Sequence, residues 1–324
     1  MKWFARASFL AMFPFIIAAC SAGGSTSSAV PRSSGPVAWA LTAGASDAQE
    51  ANQGLQFYTN AITIDAGDSV TWTFPAGEPH TVTFLGNRTA LPPPTDPSAA
   101  QPAGGSSYDG STYTSSGFML LGKTYTLTFP KPGSFTYYCI LHGQHGGMVG
   151  TIIVQQSGAP YPKAQTQYTS DAQASISRDL TTAAASVGEF PYAVGGTHLA
   201  AGIASGLSNA PPTTSTVVRF LDSKSEAPNQ SVSVHVGGTV TWTNLSNNFP
   251  HTVTFGIAGA PFPNLPPFAP PSGGPTYDGT AVTNSGVMQP GQNYSLTFTK
   301  AGTYTYHCLF HDDTENMIGT VVVR

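Results

Sequence analysis

Phe135-Thr136-Tyr137-Tyr138-Cys139-Ile140-Leu141-His142, closed by Met148-Val149-Gly150-Thr151, returns later in the chain as Tyr304-Thr305-Tyr306-His307-Cys308-Leu309-Phe310-His311 and Met317-Ile318-Gly319-Thr320. In each copy aromatic residues recur at every second position up to a Cys, the period-two pattern of a half-buried strand. Strand parity puts Cys139 on the face of Phe135 and Tyr137, and Cys308 on the face of Tyr304 and Tyr306, so both thiols point inward. A His follows each Cys by three residues and a Met follows that His by six.

Working outward, the match continues in order. Val70-Thr71-Trp72-Thr73 returns as Val240-Thr241-Trp242-Thr243, and Pro79-His80-Thr81-Val82-Thr83-Phe84 as Pro250-His251-Thr252-Val253-Thr254-Phe255. Tyr108-Asp109-Gly110 and Leu127-Thr128-Phe129 return as Tyr277-Asp278-Gly279 and Leu296-Thr297-Phe298. The offset stays between 169 and 171 residues, which describes two copies of one compact domain rather than a solenoid of short units. Short alternating runs between Gly, Pro and Asn turns give each copy an all-β antiparallel sandwich or barrel. The Pro-rich stretches 91–105 and 261–275 read as long surface loops. The expected organisation is a signal segment at 1–20, a Ser/Gly/Pro-rich tether at 21–36, a first domain at 37–156, a connector at 157–189 and a second domain at 190–324. Within the connector, Ile176, Leu180 and Ala184 have the spacing of a short helix.

The 324 residues carry 12 basic and 16 acidic side chains, a net charge of -4, so no basic footprint exists for nucleic acid. Charged residues make up only 9% of the chain, which predicts tolerance of an acidic medium, since few carboxylates would be protonated. Lys2 and Arg6 precede an apolar run, Ala7 to Ala19, too short to span a bilayer and proportioned like an export signal. The run ends in Ile17-Ala18-Ala19-Cys20-Ser21, which resembles a bacterial lipoprotein box with Cys20 as the acylated residue; ordinary cleavage nearby is the alternative. The expectation is an exported protein on the periplasmic side of the envelope, anchored to the membrane through a lipid on Cys20.

His80 shares the parity of Val82 and Phe84, and His251 that of Val253 and Phe255. Each copy therefore directs two His, one Cys and one Met to one rim: His80, Cys139, His142 and Met148 in the first, His251, Cys308, His311 and Met317 in the second. Thiolate and thioether suit Cu(I) and imidazole suits both oxidation states, so His2Cys with a weak axial Met is the donor set of a blue copper centre. Zinc would accept the Cys/His2 part, but Met is an unusual zinc ligand. The bland alternative is a pair of inert buried thiols among satisfied histidines. A disulfide is disfavoured because Cys139 and Cys308 sit on equivalent strands of separate domains. His145 competes with His142 as a ligand, but Thr314 occupies its place in the second copy. His235 and His198 read as ordinary positions. His307, directly before Cys308, stands where multicopper oxidases and copper nitrite reductases carry a catalytic-copper ligand.

These residues resemble those of the cupredoxins, in particular plastocyanin, pseudoazurin and amicyanin; Asn247-Asn248-Phe249-Pro250-His251 is similar to the first-ligand loop of plastocyanin. The resemblance implies two tandem Greek-key β-sandwiches, one type 1 copper in each, no catalytic residues, and electron exchange with donor and acceptor redox proteins. It also implies that electrons enter or leave by the imidazole edges of His142 and His311. The function expected is thus an envelope-anchored electron carrier. The alternatives are a nitrite-reductase-like or oxidase-like enzyme using His307, and a copper-binding or delivery protein.

Overall fold

The structure, a computed structural model, describes residues 35–94, 96–143, 147–188, 198–204, 215–221, 230–246 and 250–324. The proposed export signal, Cys20, almost all of the tether, and His145 lie outside the described residues.

The first half contributes strands β1 (Ala38–Ser46), β2 (Asn52–Tyr58), β3 (Ala61–Asp65), β4 (Ser69–Thr73), β5 (Thr83–Phe84), β6 (Thr114–Ser115), β7 (Thr124–Thr128), β8 (Gly133–Tyr138) and β9 (Val149–Gln155). Helix α1 (Gln165–Gly188) follows. The second half repeats the series as β10 (His198–Ala204), β11 (Ser215–Leu221), β12 (Gln230–Val234), β13 (Thr239–Leu245), β14 (Thr254–Phe255), β15 (Thr276–Tyr277), β16 (Thr283–Asn284), β17 (Asn293–Phe298) and β18 (Gly302–His307). A short helix α2 (Asp312–Glu315) then leads to β19 (Ile318–Val323). The all-β, tandem sandwich read from the sequence is the fold found.

Each half has its own five-stranded sheet, β3-β9-β8-β5-β6 and β12-β19-β18-β14-β16. The opposing wall is a single nine-stranded sheet, β15-β17-β13-β10-β11-β2-β1-β4-β7, running through both halves. Alternate side chains from the two walls close each core. Leu41, Phe57, Trp72, Phe84, Leu127, Phe129, Tyr137 and Ile152 are buried together in the first half. Phe220, Trp242, Phe255, Leu296, Phe298, Tyr306 and Val321 do the same in the second. Fully burying side chains of this size is worth roughly 1.5 to 3 kcal/mol each.

The halves join where β2 pairs antiparallel with β11, with Ser215 opposite Gly54, Thr216 opposite Gln53 and Val217 opposite Asn52. Tyr58 pairs with Thr42 on β1, and Leu221 with Ala200 on β10, so residue 53 of the first copy corresponds to residue 216 of the second. Gln53 therefore faces its own counterpart, and the junction has the self-complementary form of a two-fold contact.

Helix α1 is longer than the short helix expected, 24 residues. Its buried stripe is Tyr168, Ala172, Asp179, Ala183 and Ser186, with Ile176 half-buried; Leu180 lies at the flank of the stripe and Ala184 is exposed. The stripe keeps a 3.6-residue period but centres on small and polar side chains, which hydrophobicity alone does not reveal. Asp179 explains one of them: it accepts hydrogen bonds from the Tyr58 hydroxyl (2.9 Å) and the Gln56 amide of β2. The helix so covers the strands on both sides of the junction. Among the described residues no helix is long and apolar enough to cross a membrane.

Candidate metal centres

Each site is assembled from the end of one strand, the start of another and the loop between β8 and β9 or β18 and β19. His80 and His251 are fixed by paired backbone bonds to Met119 and Met288 just before β5 and β14. Cys139 and Cys308 follow directly on β8 and β18. Their backbone N–H groups donate to the carbonyls of Met148 (3.2 Å) and Met317 (3.1 Å), whose own N–H groups donate back to the carbonyls of His142 (3.2 Å) and His311 (3.0 Å). The loop is thereby closed on itself and both Met side chains are buried.

In the first site the ring atoms His80 Nδ1 and His142 Nδ1 lie 3.1 Å apart, with Cys139 Sγ at 3.8 and 3.5 Å from them. In the second, His251 Nδ1 and His311 Nδ1 lie 3.2 Å apart and Cys308 Sγ sits 3.6 and 3.2 Å away. All six side chains are buried. Three electron-pair donors aimed at one buried point repel one another unless protons or a cation lie between them, so this donor set fits a metal ion. Each Sγ also receives a backbone N–H, from Thr81 (3.4 Å) and from Thr252 (3.3 Å). The same two threonines accept the N–H of Ile140 and Leu309 on their hydroxyls, both at 2.8 Å, tying the first-ligand strand to the residue after the Cys.

In the first site the electrostatics agree with a thiolate. Burial would raise the Cys139 thiol, but the imidazoles of His142 and His80 override it and hold it well below the ordinary thiol range. Burial would lower His142, yet the Cys139 thiolate and the Glu78 carboxylate push it up to about 9. His311 is likewise raised against burial, by Glu78 and Cys308, and His251 is lowered by burial and by charge on His311.

Six of the residues read from the sequence come together in threes, His80, Cys139 and His142 at one rim and His251, Cys308 and His311 at the other, while Met148 and Met317 are buried and joined to these groups through their backbones. The edges of His142 and His311 are not open to solvent: each residue is 1% exposed. They point at each other across the junction, His142 Nε2 at 3.6 Å from Glu78 Oε1 and His311 Nε2 at 3.0 Å from Glu78 Oε2. The two-fold contact through β2 and β11 turns the two rims together, which a single-domain resemblance cannot anticipate.

Several contributing residues escaped the sequence reading. Gly44 and Gly202, both at φ +73°, form bulges in β1 and β10. A Cβ at either would come within 2.1 Å of His80 Nε2 or 2.5 Å of His251 Nε2, so only glycine leaves room for the ligand ring. Ser246 Oγ lies 2.7 Å from His251 Nε2. His307 has other company: its Nδ1 is 3.1 Å from Asp312 Oδ2 and its ring stacks on Phe262 with centroids 3.7 Å apart.

A β-sandwich that buries two imidazoles, a cysteine sulfur and a methionine at one rim defines the cupredoxin class of copper proteins, here in tandem. The model of the copper binding proteins, plastocyanin/azurin family, matches residues 44–155 and again 227–324. The chain belongs to that family. It is 40% identical over 101 residues to a chloroplastic plastocyanin of Tetradesmus obliquus, covering 31% of this chain and 59% of that protein. It is 39% identical over 108 residues to amicyanin of Paracoccus denitrificans, covering 33% of this chain and 64% of that protein. The chain thus spans about three fifths of the length of these relatives. Among solved structures, amicyanin from Paracoccus versutus aligns with 21% identity over 40% of this chain and 88% of its own, with a TM-score of 0.24.

Proposed function

We propose that this protein is an envelope-anchored electron carrier that holds one blue copper ion in each domain. His80, Cys139 and His142 would hold the first, with Met148 as the weak axial donor; His251, Cys308, His311 and Met317 would hold the second. Copper in such a donor set supplies one chemistry, reversible uptake of a single electron. The chain's part is to keep the donors from rearranging. The Thr81 and Thr252 braces hold the Cys sulfur, the closed Met loop holds the second imidazole, and burial excludes water that would add ligands.

The observation that carries this reading is the duplicated convergence of two Nδ1 atoms and one Sγ in a buried rim. Donor and acceptor would be other redox proteins, and the lipid would be carried by Cys20. A catalytic reading through His307 is less well supported, because Asp312 and Phe262 already satisfy that ring.

Metal analysis with an optical spectrum tests the proposal. Two coppers per chain with intense thiolate-to-copper absorption are expected. Cys139→Ser and Cys308→Ser should each remove one copper and part of the colour; a colourless wild type after copper addition refutes the reading.

A further inference from the structure

Glu78 is 4% exposed and lies on the loop before His80, yet its carboxylate faces both halves of the molecule. A carboxylate taken out of water costs several kcal/mol unless positive groups compensate it. The ion-pair partners within reach are the Nε2 atoms of His142 and His311, one on each oxygen. Those nitrogens are on the far side of the rings from the Nδ1 atoms that converge with the cysteines. In the second copy the residue before the Pro-His pair is Phe249, so this carboxylate exists once, not twice.

We propose that Glu78 is a shared positioning residue for both metal centres. One oxygen faces the Nε2 of His142 at ion-pair distance (3.6 Å) and the other meets that of His311 at 3.0 Å, and the His142–Glu78–His311 link is the route of electron exchange between the domains. The inference rests on the reading of one copper per domain. Its physical basis is general: a carboxylate on the outer nitrogen of a ligating imidazole fixes the tautomer that offers the other nitrogen to the metal, and raises its basicity. Here a single anion does this for two rings. In the exchange one electron leaves the reduced metal of one domain and enters the oxidised metal of the other. No bond forms or breaks, and the Nε2 protons stay on their rings.

The test uses the full-length chain with Glu78→Gln, which keeps the side-chain shape, and Glu78→Ala. In the reduced wild type, nitrogen-15-resolved proton spectra should show slowly exchanging Nε2–H signals from both His142 and His311; both should shift in Glu78→Gln and vanish in Glu78→Ala. Copper affinity, titrated against a competing chelator, should fall about 10- to 100-fold in both domains. After flash reduction, the exchange step that is independent of protein concentration should slow at least tenfold in Glu78→Ala at equal copper loading. Changes confined to the first domain, or none, overturn the shared role, and an unchanged exchange rate overturns the route. A wild type without two coppers refutes the proposed function instead, and the imidazole signals of the apoprotein then still decide whether one carboxylate holds both rings.

Discussion

The two centres have the same donors and differ at the nitrogen facing away from them. In the second domain, Asn244 accepts the N–H of Ser246 on its side chain (2.9 Å), and Ser246 Oγ meets His251 Nε2 at 2.7 Å. In the first domain Ala76 takes the place of that serine beside the glycine bulge, and His80 Nε2 is buried with no hydrogen-bond partner among the described residues. One imidazole is oriented by a polar neighbour and the other by packing alone. Since such outer partners tune ligand basicity, two domains with identical ligand sets need not share one reduction potential.

The largest expected effect breaks one centre and spares the other. Gly44→Ala would press a methyl group into His80 Nε2 and force an L-residue into φ +73°. The first domain should lose its copper while the second keeps its own, and Gly202→Ala should do the reverse; metal content with the optical spectrum reads both. Next comes Asp68, buried at the base of the first domain. It accepts from Val37 N–H (2.7 Å), Trp39 Nε1 (2.9 Å), Asp65 N–H (2.9 Å) and the Tyr161 hydroxyl (2.9 Å). Its counterpart in the second domain is Gly238, whose carbonyl accepts from Phe298 as that of Asp68 does from Phe129. Asp68→Ala should cost about 3 kcal/mol in urea unfolding, through the donors left unpaired, and Gly238 marks where no such loss is available.

A smaller change sharpens the contrast between the first ligands. Ser246→Ala should weaken copper binding in the second domain about tenfold or more, and Ala76→Ser should strengthen it in the first, as measured by chelator competition with the other domain's Cys replaced by Ser. If both leave affinity unchanged, the outer nitrogen does not distinguish the sites.

The smallest effect is on the pH dependence of the apoprotein. His142 is raised from 6.5 to about 9, so its contribution is complete below pH 6.5 and disappears as pH rises toward 9. Glu78 starts from 4.5; burial would raise it, but His311 and His142 override burial and lower it, so its contribution is complete above pH 4.5 and is lost as pH falls. Both of these contributions to the melting temperature of the apoprotein are therefore complete only between pH 4.5 and 6.5, and Glu78→Gln should flatten the acid side.

Much of this was legible from residue order. The alternation before Cys139 and Cys308 gave the strands, their parity gave the inward thiols, and the fixed offset gave the duplication. What stayed hidden depends on neighbours far apart in sequence. The pairing of β2 with β11 leaves no mark, because an edge strand that pairs with another domain and one that faces solvent can carry similar side chains. The inward stripe of α1 was misplaced because Asp179 and Ala183 are as buried as any aliphatic, one for its hydrogen bonds and one for its small size. Glu78 stands two residues before His80, but nothing local says that a second imidazole arrives opposite it. Gly44 and Ser246 each act on a histidine, but only folding brings them against it.

The two-fold junction centred on Gln53 and Thr216 has a further consequence. Two separate copies of one such domain, joined by this contact, would bring a pair of like carboxylates to the axis, where their mutual repulsion would oppose assembly. Covalent fusion lifts that restriction: a single acid supplied by one partner can sit on the axis while its twin is replaced by phenylalanine. Tandem duplication here makes a lopsided centre available to an otherwise symmetric pair.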